Sequence, residues 1–258
     1  MLRLMAMRIL SCLIFTFLLV NEPWQTEKFS QFDLLYTAAD VSFKNEYAAM
    51  ISAGIDSAAK FTGHSLPRRF QVYVHPDRKS LDTQWQKDWG VDDFKSECWM
   101  VASGVSGKMD LLAPGVWKDQ ACEHSFADKL KTKQVIAHEL FHVYHAQINP
   151  GNDFNNVTGL DWLVEGFATY ASGQLDTGRI SGVKESDNQK LPASLDVFWT
   201  GKLKYGLAGS AVMFIDKKFG RSVLLSLLTL TTKAEVLQKL GVTEEQFILH
   251  WKEFVNSL

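Results

Sequence analysis

The sequence predicts an α+β fold of two lobes, a small mixed sheet in the N-terminal half and helices in the remainder. Three observations carry this expectation. Residues 70–74 form a short run of aromatic and β-branched residues, the composition of a strand. Residues 98–114 hold two more such runs, with Gly104 and Gly107 bracketing a turn. After Ser125 the patterning is almost entirely helical.

Taken in order, residues 29–61 read as a helical region, 70–74 as a strand, 81–89 as a short helix and 98–114 as a strand pair. Residues 132–148 read as a helix that is apolar on most sides, hence buried. Asn149-Pro150-Gly151-Asn152-Asp153 breaks the chain, so a second helix at 160–170 can lie beside it. Residues 178–192 are polar and read as a loop near a cleft. An apolar helix follows at 205–219, with small residues that allow close approach. The chain ends on helices at 222–231 and 243–257, the latter opened by the capping pattern Thr243-Glu244-Glu245-Gln246.

Composition bounds the function. The chain has 258 residues, 46% of them hydrophobic, with a formal charge of −2, enough apolar surface for one domain of two lobes. No basic stripe or finger-like spacing suits nucleic acid. Arg3 and Arg8 precede an apolar stretch at 9–20 that ends in Asn21-Glu22-Pro23, the layout of a secretory signal peptide or an uncleaved signal anchor. Residues 1–20 are assigned to that segment. Residues 21–258 form the domain, divided into a sheet-bearing lobe (21–128) and a helical lobe (129–258). The protein is expected to be secreted or periplasmic, with a membrane tether if the signal is retained. Beyond the signal only Cys98 and Cys122 remain, a pair expected to form a disulfide in an oxidising compartment. Asn156-Val157-Thr158 is a glycosylation sequon.

The chemistry concentrates in His138-Glu139-Leu140-Phe141-His142. Residues four apart share one helix face, so two imidazoles can hold one zinc ion. Glu139 sits where a carboxylate can take a proton from water at that ion. A catalytic zinc takes three protein ligands and leaves one position open. Glu165, a carboxylate among apolar neighbours in Trp162-Leu163-Val164-Glu165-Gly166-Phe167-Ala168, is the candidate third ligand. Asp161 is its rival. Tyr205, opening the 205–219 helix, is the candidate donor to a developing oxyanion.

H-E-L-F-H followed by W-L-V-E-G-F-A-T-Y resembles the gluzincin, thermolysin-like branch of zinc metallopeptidases over residues 132–172. The resemblance implies a zincin-like catalytic domain, Zn2+ held by His138, His142 and Glu165, Glu139 as general base, and a peptide or protein substrate. It also implies that the strand before the active-site helix is a sheet edge on which an extended substrate pairs. Some members carry an aspartate where this chain has Thr169, orienting the first histidine; Asp161 is a candidate for that contact. The metzincin pattern fails, because it needs Gly at position 145 and His at position 148, where this chain has His145 and Ile148. His145 is then expected behind the ligands or at the rim. Gly107-Lys108-Met109-Asp110 is faintly similar to the G-x-M-E-N element of one aminopeptidase family, which would give Asp110 a role in recognising a substrate N-terminus. Two alternatives stay open: a non-catalytic binding module with a zinc staple, and a zinc hydrolase of a non-peptide amide or ester.

Overall fold

The computed structural model describes residues 23–151, 153–186 and 191–258. The signal-like segment at 1–20 lies outside the described residues. The fold is α+β. Strands β1 (Gln25–Lys28), β2 (Phe32–Tyr36), β3 (Phe70–His75), β4 (Ala102–Val105) and β5 (Lys108–Leu112) form one sheet in the order β1-β2-β3-β5-β4. β2, β3 and β5 run parallel, while β1 and β4 are antiparallel edges.

Register assigns the two faces. Leu34 pairs with Val72, Val72 with Met109, and Met109 with Gly104, so these four point one way. That face is covered by α1 (Lys44–Thr62) and α4 (Lys129–Ile148), and Leu34, Val72 and Met109 are fully buried there. Tyr73, Asp110 and Ser103 point the other way, where α2 (Arg78–Trp89) lies and its Trp85 donates through Nε1 to Ser103 Oγ at 2.8 Å.

After the four-residue helix α3 (Trp117–Gln120), the C-terminal half is helical: α4, α5 (Asp161–Ala171), α6 (Thr177–Glu185), α7 (Lys204–Phe219), α8 (Arg221–Leu227), α9 (Lys233–Leu240) and α10 (Glu244–Ser257). Gly166 lets α5 cross α7 closely, since a Cβ there would come within 2.4 Å of the Ala208 carbonyl oxygen. The Thr243 capping box opens α10 as expected. Trp251 of α10 donates to the buried Ser210 Oγ of α7 at 3.0 Å.

Two expectations are corrected. The helical region expected from residue 29 begins at Lys44; before it lie β1 and β2. Phe32, Leu34 and Tyr36 alternate inward with period two, and pairing with the distant β3 decides the conformation of so short a run. Residues 178–192 are not simply a loop. Asp176 caps α6 by accepting from the Arg179 N–H at 2.8 Å. Val183 is the buried residue of that helix, so its sequence carries little amphipathic signal.

Candidate metal centre

The site lies where α4 and α5 meet beneath the edge strand β4. α4 starts at the cap Asp128, whose side chain accepts from the Lys131 N–H at 3.0 Å, and it buries most of its length. His138 and His142 therefore leave one helix face into an interior cleft, at 6% and 7% exposure. Their Nε2 atoms lie 3.0 Å apart. Glu165 Oε2, from α5, is 3.3 Å from His138 Nε2 and 3.5 Å from His142 Nε2.

These three atoms form a nearly equilateral triangle. A tetrahedral zinc bonded at its usual lengths spaces its ligand atoms by about 3.3 Å. The triangle thus fits one ion, and the nitrogen–nitrogen–oxygen donor set suits zinc.

Electrostatics follow from this geometry. Burial works against the Glu165 carboxylate, but His142 and His138 beside it prevail and hold its pKa well below the usual carboxylate range. Burial likewise opposes charge on His142, and the Glu165 carboxylate outweighs it, raising the imidazole. Glu139 behaves oppositely: burial, aided by the nearby Glu165 carboxylate, raises its carboxyl and outweighs the two histidines and the Gly104 backbone N–H that lower it.

Glu139 is only partly covered and lines the same cleft, about 370 Å³ in volume. β4 forms one wall. A Cβ on Gly104 would lie 2.3 Å from the Glu139 carbonyl oxygen and 3.3 Å from His142 Cβ, so strand and helix touch at their backbones there. The edge was expected in the strand just before α4 in the chain; that strand, β5, is paired on both sides, and the edge is β4, one strand earlier, returned beside α4 by the hairpin. Tyr205 opens onto the cleft from the first turn of α7, its ring centroid 6.4 Å from that of His138. Burial, then Glu165 and Glu139, raise its hydroxyl pKa, so it stays a donor.

Other candidates fall outside the site. Asp161 is exposed at the start of α5 and is not part of the triangle. Thr169 is buried, but its hydroxyl has no partner among the described residues, and neither has His138 Nδ1; neither Thr169 nor Asp161 supplies the contact behind His138. His145 is a structural tie rather than a rim residue: Nε2 donates to the Leu228 carbonyl at 3.0 Å, and burial lowers its pKa to about 3. Asp110 points away from α4, accepts from His75 Nε2 at 3.0 Å and pairs with Lys108 at 2.9 Å. It is unavailable to a substrate in the cleft.

The expected disulfide joins Cys98 to Cys122 with Cα atoms 5.3 Å apart. It fastens the segment bearing Trp99 and Met100 above the cleft. Arg78 reinforces it, donating to the carbonyls of Cys98, Met100 and Gln120 at 2.7–3.0 Å. The tryptophans at 85, 89, 99 and 199 line the cleft with Lys204, and sequence patterning singled out none of them. The one available signal was the number of tryptophans, eight in this chain.

No family model and no curated protein matches the sequence. Among solved structures, the chain is similar to an M1 zinc metallopeptidase from Deinococcus radiodurans, at 18% identity and a TM-score of 0.48, over 89% of this chain and 51% of that one. A mutant of that enzyme bound to a Tyr-Ser-Ala substrate matches at 18% and 0.47, again over 89% and 51%. A two-domain mutant bound to L-tryptophan matches at 16% and 0.47 with the same coverage. At these levels the likeness assigns neither an activity nor a substrate. These three solved structures to which the chain is similar are zinc metallopeptidases, and the chain spans about half their length.

Proposed function

We propose that this chain is a zinc-dependent peptidase. The observation that carries the reading is the His138–His142–Glu165 triangle with Glu139 opening onto the same cleft. His138, His142 and Glu165 would hold Zn2+, which when bound supplies Lewis acidity and makes water more acidic. Glu139 takes a proton from water in the cleft and delivers it to the leaving amine. Tyr205 donates its hydroxyl to the oxygen on which negative charge develops. The free edge of β4 orients an extended peptide through backbone hydrogen bonds. A structural zinc would need four closed protein ligands and no neighbouring base, which favours the catalytic reading over a binding module.

We also propose that the protein works in an oxidising compartment, secreted or periplasmic. The Cys98–Cys122 bridge supports this. No helix among the described residues is long and apolar enough to cross a membrane.

Glu139→Gln tests the mechanism. The variant keeps the shape of the side chain but cannot accept the proton. It should hold the same zinc content by elemental analysis and lose about 10²- to 10⁴-fold in turnover of a quenched peptide library. Wild-type turnover in the variant, with contaminating protease excluded, would overturn the reading.

A further inference from the structure

Lys204 is the first residue of α7 and breaks a local rule. A cation at a helix N-terminus opposes the helix dipole, and the first turn of α7 contains no acidic residue to offset it. Its Nζ lies 4.3 Å from the ring centroid of Trp99, 4.7 Å from that of Trp199 and 5.3 Å from that of Tyr205. Aromatic faces attract an ammonium without neutralising it and leave its N–H groups unspent. Among the described residues no carboxylate pairs with Lys204 and no acceptor takes a hydrogen bond from it. Glu123 is the nearby acid whose field reaches Tyr205, but it is exposed and forms no ion pair with Lys204.

The cleft's other charges sharpen the point. Among the described lining residues the carboxylates are Glu139 and Glu165, one assigned to proton transfer and one to the metal. None is left for a substrate ammonium, and Asp110 faces away. Among the described lining residues Lys204 is the one lysine or arginine, while Arg179 stacks on the Tyr205 ring at 4.7 Å outside that lining, and the wall that holds Lys204 is built in advance. Trp99 follows the bridged Cys98, and its carbonyl accepts from His124 Nε2 at 3.0 Å. A caged, unpaired ammonium beside the reacting groups suits an anion, and on a peptide that anion is a carboxylate.

We propose that Lys204 is a specificity-determining residue that binds a substrate carboxylate, so that the cleft selects peptides carrying a C-terminal carboxylate or an acidic side chain near the cleaved bond. The proposal rests on the peptidase reading of the same cleft. Flanking by tryptophan lowers the local dielectric and strengthens the ammonium–carboxylate pair.

The test uses the full chain as the zinc-loaded Glu139→Gln variant, so that peptides bind without turnover, and follows tryptophan fluorescence. Matched peptides differ in a free or amidated C-terminus, or in Glu against Gln at one position. With Lys204 present, the carboxylate form should bind about 10- to 100-fold more tightly. Lys204→Met keeps the aliphatic stem in its cage and should bring that ratio near one; Lys204→Arg should restore it. Loss of the preference on amidation assigns the C-terminal carboxylate, and loss on Glu-to-Gln exchange assigns the side chain. Equal binding of all forms, a preference unchanged in Lys204→Met, or no binding of any peptide overturns the proposal. Parallel digests with the unsubstituted chain separate the two readings. Carboxylate-selective binding without hydrolysis would sink the peptidase and leave Lys204 standing; hydrolysis without selectivity would sink Lys204 alone.

Discussion

Gly104→Ala and Gly107→Ala place the same methyl group twice in one hairpin, with opposite surroundings. At Gly104 the new Cβ would sit 2.3 Å from the Glu139 carbonyl oxygen, 3.1 Å from its carbon and 3.3 Å from His142 Cβ. The neighbours are mainly helix backbone, so relief requires β4 and α4 to separate by about 1 Å, an overpacking that costs about 1–3 kcal/mol. For a domain of this size that lowers Tm by about 2–12 °C. The displaced residues are Glu139 and His142, and a misplacement of about 1 Å can cost about 10²-fold in rate. At Gly107 a Cβ meets nothing within 4 Å, so that variant should melt within about 2 °C of the parent. Differential scanning fluorimetry, zinc content and peptide turnover on the matched pair measure all three effects. If Gly104→Ala melts and turns over like Gly107→Ala, then β4 and α4 do not touch as described and the edge-strand wall of the cleft is wrong.

Removing the third ligand should uncouple zinc from stability. At a zinc concentration about 100 times its Kd the parent gains about 2.7 kcal/mol, and Glu165→Ala should gain nothing at that concentration; an equal rise in Tm refutes the ligand role. Asp40 predicts a pH effect. Burial raises its carboxyl to about 6, with the Tyr47 hydroxyl pulling the other way. Between about pH 4 and 6 the folded chain keeps a proton that the unfolded chain releases, so this group's contribution to stability falls as pH rises through that window. Asp40→Asn should therefore be more stable than the parent at pH 7 by on the order of 2 kcal/mol, with the difference vanishing near pH 4, as read by urea unfolding. Replacing both Cys98 and Cys122 by serine opens a loop of 24-residue separation and should cost about 3 kcal/mol. An unchanged denaturation midpoint would show that the bridge does not contribute.

The metal-binding pattern and its helix were legible in the chain because their determinants are local. Four-residue spacing puts His138 and His142 on one face whatever surrounds them. Breaker residues at 149–153 and the apolar run around Glu165 made the second helix and its carboxylate readable too. The capping box at Thr243, the hairpin at Gly104 and Gly107, and the cysteine pair were local in the same sense. What failed was the short or polar segment whose conformation is settled elsewhere. β2 is five residues long and becomes a strand by pairing with β3.

Side-chain environment was decided by tertiary structure alone. Asp110 looked like a substrate contact by its position after Gly107, but strand parity turns it to the face of the sheet opposite α4, onto His75 and Lys108. His145 shares the helix of the ligands, yet the arrival of Leu228 from α8's end makes it a tie. Lys204 and Trp99 are separated by most of the helical lobe in sequence and meet only because the disulfide-bridged loop and α7 close over one cleft. Sequence by itself determined which groups could share an ion and move a proton. The fold decided which charges remain unpaired beside them, because only packing removes the water and the partners that would otherwise satisfy those charges.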